Sequence, residues 1–122
     1  MKVLLGIGGS DDSLEALDRT VERAVEAGDE LTVAVLDNPE SERSAEAVIE
    51  HATETVEDAG LDADVRHITG DPGSELVQLA EREAFDQVVL GGGERSPMGK
   101  IRLGHIAEFV LLNAPVTVTL VR

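Results

Sequence analysis

The sequence predicts an α/β fold, a doubly wound sandwich with helices on both faces of a five-stranded parallel sheet. Hydrophobic residues alternate between the two-residue period of strands and the 3.6-residue period of helices, with turn residues between the segments. The segment Leu31–Leu36 is apolar nearly throughout, which is typical of a parallel strand buried on both faces. The length of 122 residues suits one domain, residues 1–122, with one core.

The first half of the chain predicts two strand–helix units. A residue with a short polar side chain starts the first helix, and glycine ends both helices. The first helix is expected to turn Leu17, Val21 and Val25 inward. The predicted elements are a strand at Val3–Ile7, a helix over residues 12–27 capped by Ser10 or Asp11 and ended by Gly28, a strand at Leu31–Leu36, and a helix that runs to about Ala59 and stops at Gly60.

The second half predicts three strands and two helices. Its first strand is the most polar, as an edge strand would be. The predicted elements are an edge strand at Ala63–Ile68, a helix capped by Asp71 with Pro72 in its first turn, a strand that contains Val88–Leu90, a helix over residues 104–113, and a last strand at Val116–Val121. The expected strand order is 3-2-1-4-5.

In that order the crevice that binds ligands lies between strands 1 and 4, beyond their carboxyl ends. The loops there are the two most glycine-rich places in the chain, and glycine lets backbone N–H groups approach an anion at a helix N-terminus. Three of the four basic residues after position 86 also lie there. The candidate nucleotide- or anion-binding residues are Gly8, Gly9, Ser10, Gly91, Gly92, Gly93, Arg95, Ser96, Lys100, Arg102, Gly104 and His105.

The charge of the chain excludes some classes of partner. A net charge of −15 argues against nucleic acid and against anionic membranes as main partners. Of the ten basic residues only Lys2 and Lys100 are lysines. An acidic, lysine-poor surface suits a halophilic cytosol, where repulsion is screened within roughly 3 Å at about 1 M salt. An ordinary acidic domain is the alternative.

Other classes are excluded by what the sequence lacks. Cysteine is absent, which removes disulfides and thiol nucleophiles. No apolar run approaches the ~20 residues of a membrane span, and the N-terminus reads as a strand, so a cytoplasmic location is expected. The three histidines are distant in sequence, and no serine lies on a nucleophile elbow. We therefore expect no metal site, no catalytic residues and no enzymatic activity.

Over its whole length the chain resembles the universal stress protein family. The resemblance is carried by "KVLLGIGGSDDSLEAL", by "GDPGSELVQLAERE" and, most specifically, by "FDQVVLGGGERSPMGKIRLGHIAEFVLLNAPVTVTLVR". It implies a Rossmann-like fold of the adenine nucleotide alpha hydrolase type. Family members that bind ATP carry Gly, two residues, Gly, nine residues, then Gly-Ser or Gly-Thr. A recognised branch of the family lacks this motif and binds no ATP.

This chain departs from the ATP-binding motif at three places. The motif glycines fall on Gly91, Glu94 and Gly104, and the Ser or Thr falls on His105. After strand 1 the family usually has Asp-Gly-Ser, and Gly8 stands where the acid would be. The carboxylate of Glu94 would repel a triphosphate by about 1–4 kcal/mol. A lost hydroxyl donor costs roughly 0.5–1.5 kcal/mol. His105 and the basic residues of the loop favour phosphate, but for ATP held in the family's manner the losses exceed these gains.

Each glycine-rich loop also has a purely structural interpretation. Gly91 to Gly93 suit a tight strand exit, and the basic residues beside them suit pairing with the acidic helices. Gly8-Gly9-Ser10 suits a turn followed by a helix cap. Both interpretations remain open at this point.

The last strand is expected to pair two copies of the chain. It is an edge strand without charge, proline or bulge, and such an edge is a template for a second strand. Family members commonly pair by this strand, and antiparallel pairing about a twofold axis is self-complementary. The predicted homodimer interface is Val116, Thr117, Val118, Thr119, Leu120 and Val121.

Three functions are consistent with these observations. The first is a non-enzymatic stress-response protein, dimeric, with a degenerate nucleotide site and no certain cofactor. The second is a genuine ATP or AMP binder, with Mg²⁺ as a possible cofactor and slow ATPase activity. The third is a structural module that binds a partner through its surface. The residues favour the first.

Overall fold

The computed structural model describes residues 1–38, 43–91, 94–95, 101–102 and 105–121. For residues 94–95 and 101–102 it describes the backbone only. Strands and helices alternate as predicted, apart from two short strands that follow the fourth strand. The elements are β1 Lys2–Ile7, α1 Asp11–Ala27, β2 Glu30–Leu36, α2 Ala45–Asp58, β3 Asp64–Ile68, α3 Pro72–Arg82, β4 Gln87–Gly91, β5 Glu94–Arg95, β6 Ile101–Arg102, α4 His105–Asn113 and β7 Thr117–Val121.

Five of the strands form one parallel sheet in the order β3-β2-β1-β4-β7. With β7 as the fifth strand, this is the predicted order 3-2-1-4-5. Its reversal lies between β1 and β4, where Gly6 is the register partner of Leu90. The candidate crevice therefore lies beyond these two strand ends.

One feature of the glycine-rich segment after β4 differs from the sequence prediction. This segment is one of the two glycine-rich loops that the sequence predicts, whereas β5 and β6 pair as antiparallel strands within it. Glu94 is the register partner of Arg102, and Arg95 that of Ile101. A strand of two residues is too short to show the alternation of apolar and polar residues by which strands are recognised in a sequence.

The helix ends follow local rules that the sequence displays. The Oγ of Ser10 accepts a hydrogen bond from the Ser13 N–H and so caps α1. Asp71 caps α3 in the same way, with Pro72 in the first turn. Gly28 ends α1 with φ of 71°, a left-handed conformation that favours glycine. These predicted caps are confirmed, and the element bounds differ from the predicted ones by a residue or so.

The core has two layers, one on each face of the sheet. Leu5, Ile7 and Val33 belong to the layer under α1 and α2, whereas Leu4 and Leu90 belong to the layer under α3 and α4. The predicted inward position of Val25 is wrong, since 49% of that side chain is exposed. The apolar stripe of α1 is narrower than its sequence indicated. No helix in the described ranges is both long and apolar enough to span a membrane.

Candidate functional site

The turn after β1 is closed by its own hydrogen bonds. Gly9 is buried and has φ of 89°, which explains the glycine. Its N–H donates to the Oγ of Ser13 at 3.1 Å, and that hydroxyl donates to the Ser10 carbonyl at 2.8 Å. The Ser10 side chain accepts from the Ser13 N–H at 3.1 Å. The Gly9 N–H and the Ser10 hydroxyl are thus engaged within the protein, which agrees with a turn followed by a helix cap.

Arg43 also occupies the end of β1. Its Nη1 donates to the carbonyl of Gly9 at 2.6 Å, and its Nη2 donates to the carboxylate of Asp11 at 2.8 Å. The guanidinium therefore links the chain just before α2 to the start of α1. Arg43 is not among the site residues that the sequence predicts. A signal was present, because it is the only basic residue between Arg23 and Arg66.

Gly91, the first glycine of the family motif, lies against the first turn of α1. A Cβ atom at this position would lie 2.7 Å from the Asp12 carbonyl oxygen and 2.7 Å from the Ser13 Cα. These are backbone atoms, which cannot move aside without shifting the helix. The close approach of β4 to α1 therefore requires glycine here, independently of any ligand.

A cavity of about 300 Å³ opens beside this turn, at the carboxyl ends of β1 and β2. Its size is at the lower limit of small-molecule sites. The Oδ1 of Asp37 lies 2.7 Å from the Nε2 of His67, at the ends of β2 and β3. The cavity thus has acidic, amide and basic groups in reach of one small ligand. Its lining includes Gly8, Leu36, Asp37, Asn38, Arg43 and Ser44.

The remaining candidate residues are only partly covered by the structure. His105 is exposed at the start of α4. Arg95 and Arg102 are known by backbone only, in β5 and β6. Gly92, Gly93, Ser96, Lys100 and Gly104 lie outside the described residues. Within the described part of the chain, no three His, Asp or Glu side chains are close enough together to hold a metal ion.

The predicted interface strand β7 lies at the end of the sheet, with β4 as its neighbour. Val116, Val118 and Leu120 pack against the layer under α3 and α4, and Val121 against the opposite layer. Leu120 and Val121, adjacent in sequence, thus lie on opposite faces of the sheet. Thr117 is exposed. Gln87 on β4 donates to the hydroxyl of Thr119, a bond that helps fix the register of β7.

A model of a known protein family matches this chain. The model of the universal stress protein family matches residues 1–122, the whole chain. A universal stress protein of Methanothermobacter thermautotrophicus is 45% identical over 53 residues, which cover 43% of this chain and only 36% of that protein. Universal stress protein MJ0531 of Methanocaldococcus jannaschii is 28% identical over 99% of this chain and 81% of its own length.

Solved structures share the fold. A universal stress protein of Archaeoglobus fulgidus matches 100% of this chain and 98% of its own, with a TM-score of 0.82 and 21% identity. A structure of the Archaeoglobus fulgidus universal stress protein in complex with dAMP has a TM-score of 0.75 and 18% identity over 100% of this chain and 98% of its own. Protein Rv1636 of Mycobacterium tuberculosis is 32% identical over 99% of this chain and 94% of its own, with a TM-score of 0.64.

Proposed function

The chain belongs to the universal stress protein family, and from this membership we propose a non-enzymatic stress-response protein, a cytoplasmic homodimer with a degenerate nucleotide site. The observation that carries the proposal is the turn after β1. The N–H of the buried Gly9 donates to the Ser13 hydroxyl, and the Gly9 carbonyl accepts from Arg43. A nucleotide held at this turn would have to displace these bonds, each worth about 0.5–1.5 kcal/mol and more where a charge takes part.

The departures from the ATP motif support the same proposal. Glu94 brings a carboxylate to a position where the family has glycine, and His105 replaces the hydroxyl donor. Gly91 is retained, but the contact with α1 accounts for that glycine without a phosphate. Degeneracy of the site is therefore compatible with an intact fold.

Isothermal titration with ATP and AMP, with and without Mg²⁺, in molar KCl tests the proposal. We expect no binding of the wild type tighter than about 10 μM, equivalent to ~7 kcal/mol. Glu94→Gly restores the family glycine and removes a negative charge, so this variant should bind ATP more tightly than the wild type, most visibly at low salt. Wild-type binding below about 10 μM would overturn the proposal. No gain in Glu94→Gly, alone or with His105→Ser, would place the obstacle elsewhere in the crevice.

One observation favours adenine nucleotide binding as a second candidate function. Arg43 lines the cavity at the ends of β1 and β2 and supplies a cation that a phosphate could share with Asp11. The fold relative from Archaeoglobus fulgidus has been solved with dAMP, an adenine nucleotide with one phosphate.

A pair of arginine variants separates the two candidates. If the crevice binds AMP, Arg43→Ala should weaken binding by about tenfold or more, because a charge-assisted bond to phosphate is lost. Arg19→Ala is the matched control, since Arg19 pairs with Glu15 on the exposed face of α1. A degenerate site predicts that neither variant changes the titration.

A further inference from the structure

An open groove of about 600 Å³ lies between α1 and the last turns of α2, separate from the nucleotide crevice. Its floor is apolar. Val21 is buried beneath it, whereas Val25 is 49% exposed and Ala59 is also exposed. Val25 belongs to the apolar stripe of α1 that the sequence predicts to face the core. The groove therefore leaves apolar surface in water that a partner could cover.

The rim of this groove is acidic. It carries Asp18, Glu22, Glu26 and Asp58, and the lining contains no basic side chain. Within the described ranges, none of these four carboxylates forms an ion pair, because the salt bridges there involve other acids.

The arginines of α1 lie on another side of the helix. Arg19 pairs with Glu15 at 2.9 Å and Arg23 approaches Asp29 at 3.9 Å. Both arginines line a different, smaller cavity, which faces β4 and β7. The basic residues nearest in sequence therefore do not neutralise the groove.

The acidic rim is electrostatically unfavourable in the isolated chain. Asp18, Glu22 and Glu26 follow each other at intervals of four residues, so their like charges repel along one face of α1. Glu26 and Asp58 lie in the last turns of α1 and α2, where the helix dipole is negative, and neither last turn contains a basic residue. Two separate features thus place uncompensated negative charge around one apolar floor.

We propose that this groove binds a basic, amphipathic segment of a partner protein. Apolar side chains of the segment cover Val25 and Ala59, and its lysines or arginines pair with the carboxylates of the rim. Charge selects this occupant. Because the lining contains no basic side chain, the groove is not complementary to its own copy, and nucleic acid or an anionic membrane would be repelled.

A labelled peptide tests the proposal directly. The probe is a synthetic amphipathic helix of about 14 leucine and lysine residues. Its binding is measured by fluorescence anisotropy, at the lowest KCl concentration that keeps the protein folded. We expect saturable binding that weakens as KCl rises. Glu22→Lys and Val25→Ser should each weaken it, Glu22→Lys by about tenfold or more.

Glu81→Lys is the matched control. Glu81 is an exposed acid in a helix, α3, on the opposite face of the sheet, so the change in net charge is the same but the groove is not touched. We expect it to weaken the peptide by less than about twofold. Glu22→Lys should also keep or raise the unfolding midpoint, since it relieves the repulsion along α1, which separates lost binding from lost folding.

The proposal is supported if both groove variants bind the peptide more weakly and Glu81→Lys changes binding by less than about twofold. The unfolding midpoint of Glu22→Lys must also not fall below that of the wild type. Any other pattern overturns it. In particular, equal weakening by Glu22→Lys and Glu81→Lys would mean that the peptide responds only to the overall charge of the protein.

Discussion

Gly91 shows how one residue can match a ligand motif for a structural reason. The sequence places it at the first glycine of a nucleotide loop, and the structure places it in contact with the backbone of Asp12 and Ser13. The same applies to Ser10, whose hydroxyl is a helix cap. Sequence alone could identify both residues as special but could not assign the reason, because the position of α1 relative to β4 is a tertiary property.

Gly91→Ala should lower the free energy of unfolding by about 1–3 kcal/mol, as overpacking does in a rigid surrounding. The control is Gly8→Ala, where the new Cβ would lie 3.1 Å from the Asn38 side chain, which can move more readily than backbone. Urea unfolding in molar KCl measures both. Equal effects of the two substitutions would contradict the packing role of Gly91.

Arg66 and Glu83 form an ion pair between β3 and the end of α3. The Nη1 of Arg66 lies 2.5 Å from one carboxylate oxygen of Glu83, and its Nη2 lies 3.0 Å from the other. The hydrogen bonds from Arg66 lower the pKa of Glu83 below its usual value. A carboxyl with a lowered pKa in the folded state stabilises the fold above its unfolded pKa and loses this contribution as pH falls through the folded value.

Glu83→Gln should therefore reduce the free energy of unfolding near neutral pH, and the difference from wild type should shrink as the pH falls below about 4. Urea unfolding at several pH values is the measurement, with Glu81→Gln, two residues away, as control. A deficit of Glu83→Gln that is independent of pH would mean that packing, not charge, is responsible.

At the scale of elements, most of the fold was readable from the sequence. Caps at Ser10 and Asp71, and glycine at the end of α1, are local signals, and they placed the helices well. The pair β5 and β6 was missed because two-residue strands have no period. Arg43 was missed because its partners, Gly9 and Asp11, are distant in sequence and meet it only in the folded chain.

Strand β7 carries the prediction of dimerisation. Light scattering should give twice the chain mass of 12.9 kDa at tens of micromolar protein in molar salt. Thr117→Lys places a charge on the exposed part of this edge strand, so pairing should weaken while the fold survives. A wild-type mass equal to one chain, or a dimer indifferent to Thr117→Lys, would contradict an interface built on β7.

At the scale of the whole molecule, the net charge of −15 dominates. If the chain is halophilic, as its acidic and lysine-poor composition predicts, the unfolding midpoint should rise steeply with KCl up to molar concentration. The like-charged row on α1 is one place where that screening would act. An unfolding midpoint in dilute buffer equal to that in molar KCl would show an ordinary acidic domain instead.

At the end of β1, the Gly9 N–H and the Ser10 hydroxyl, which would hold a phosphate, are engaged in the protein's own hydrogen bonds. Amide NMR during a titration with AMP in molar KCl tests it most directly, because Gly8, Gly9 and Ser10 report on the turn itself. We expect that the signals of these residues do not saturate below about 10 μM AMP. Saturating shifts of these amides below about 10 μM would contradict it, and would identify the crevice as a working nucleotide site.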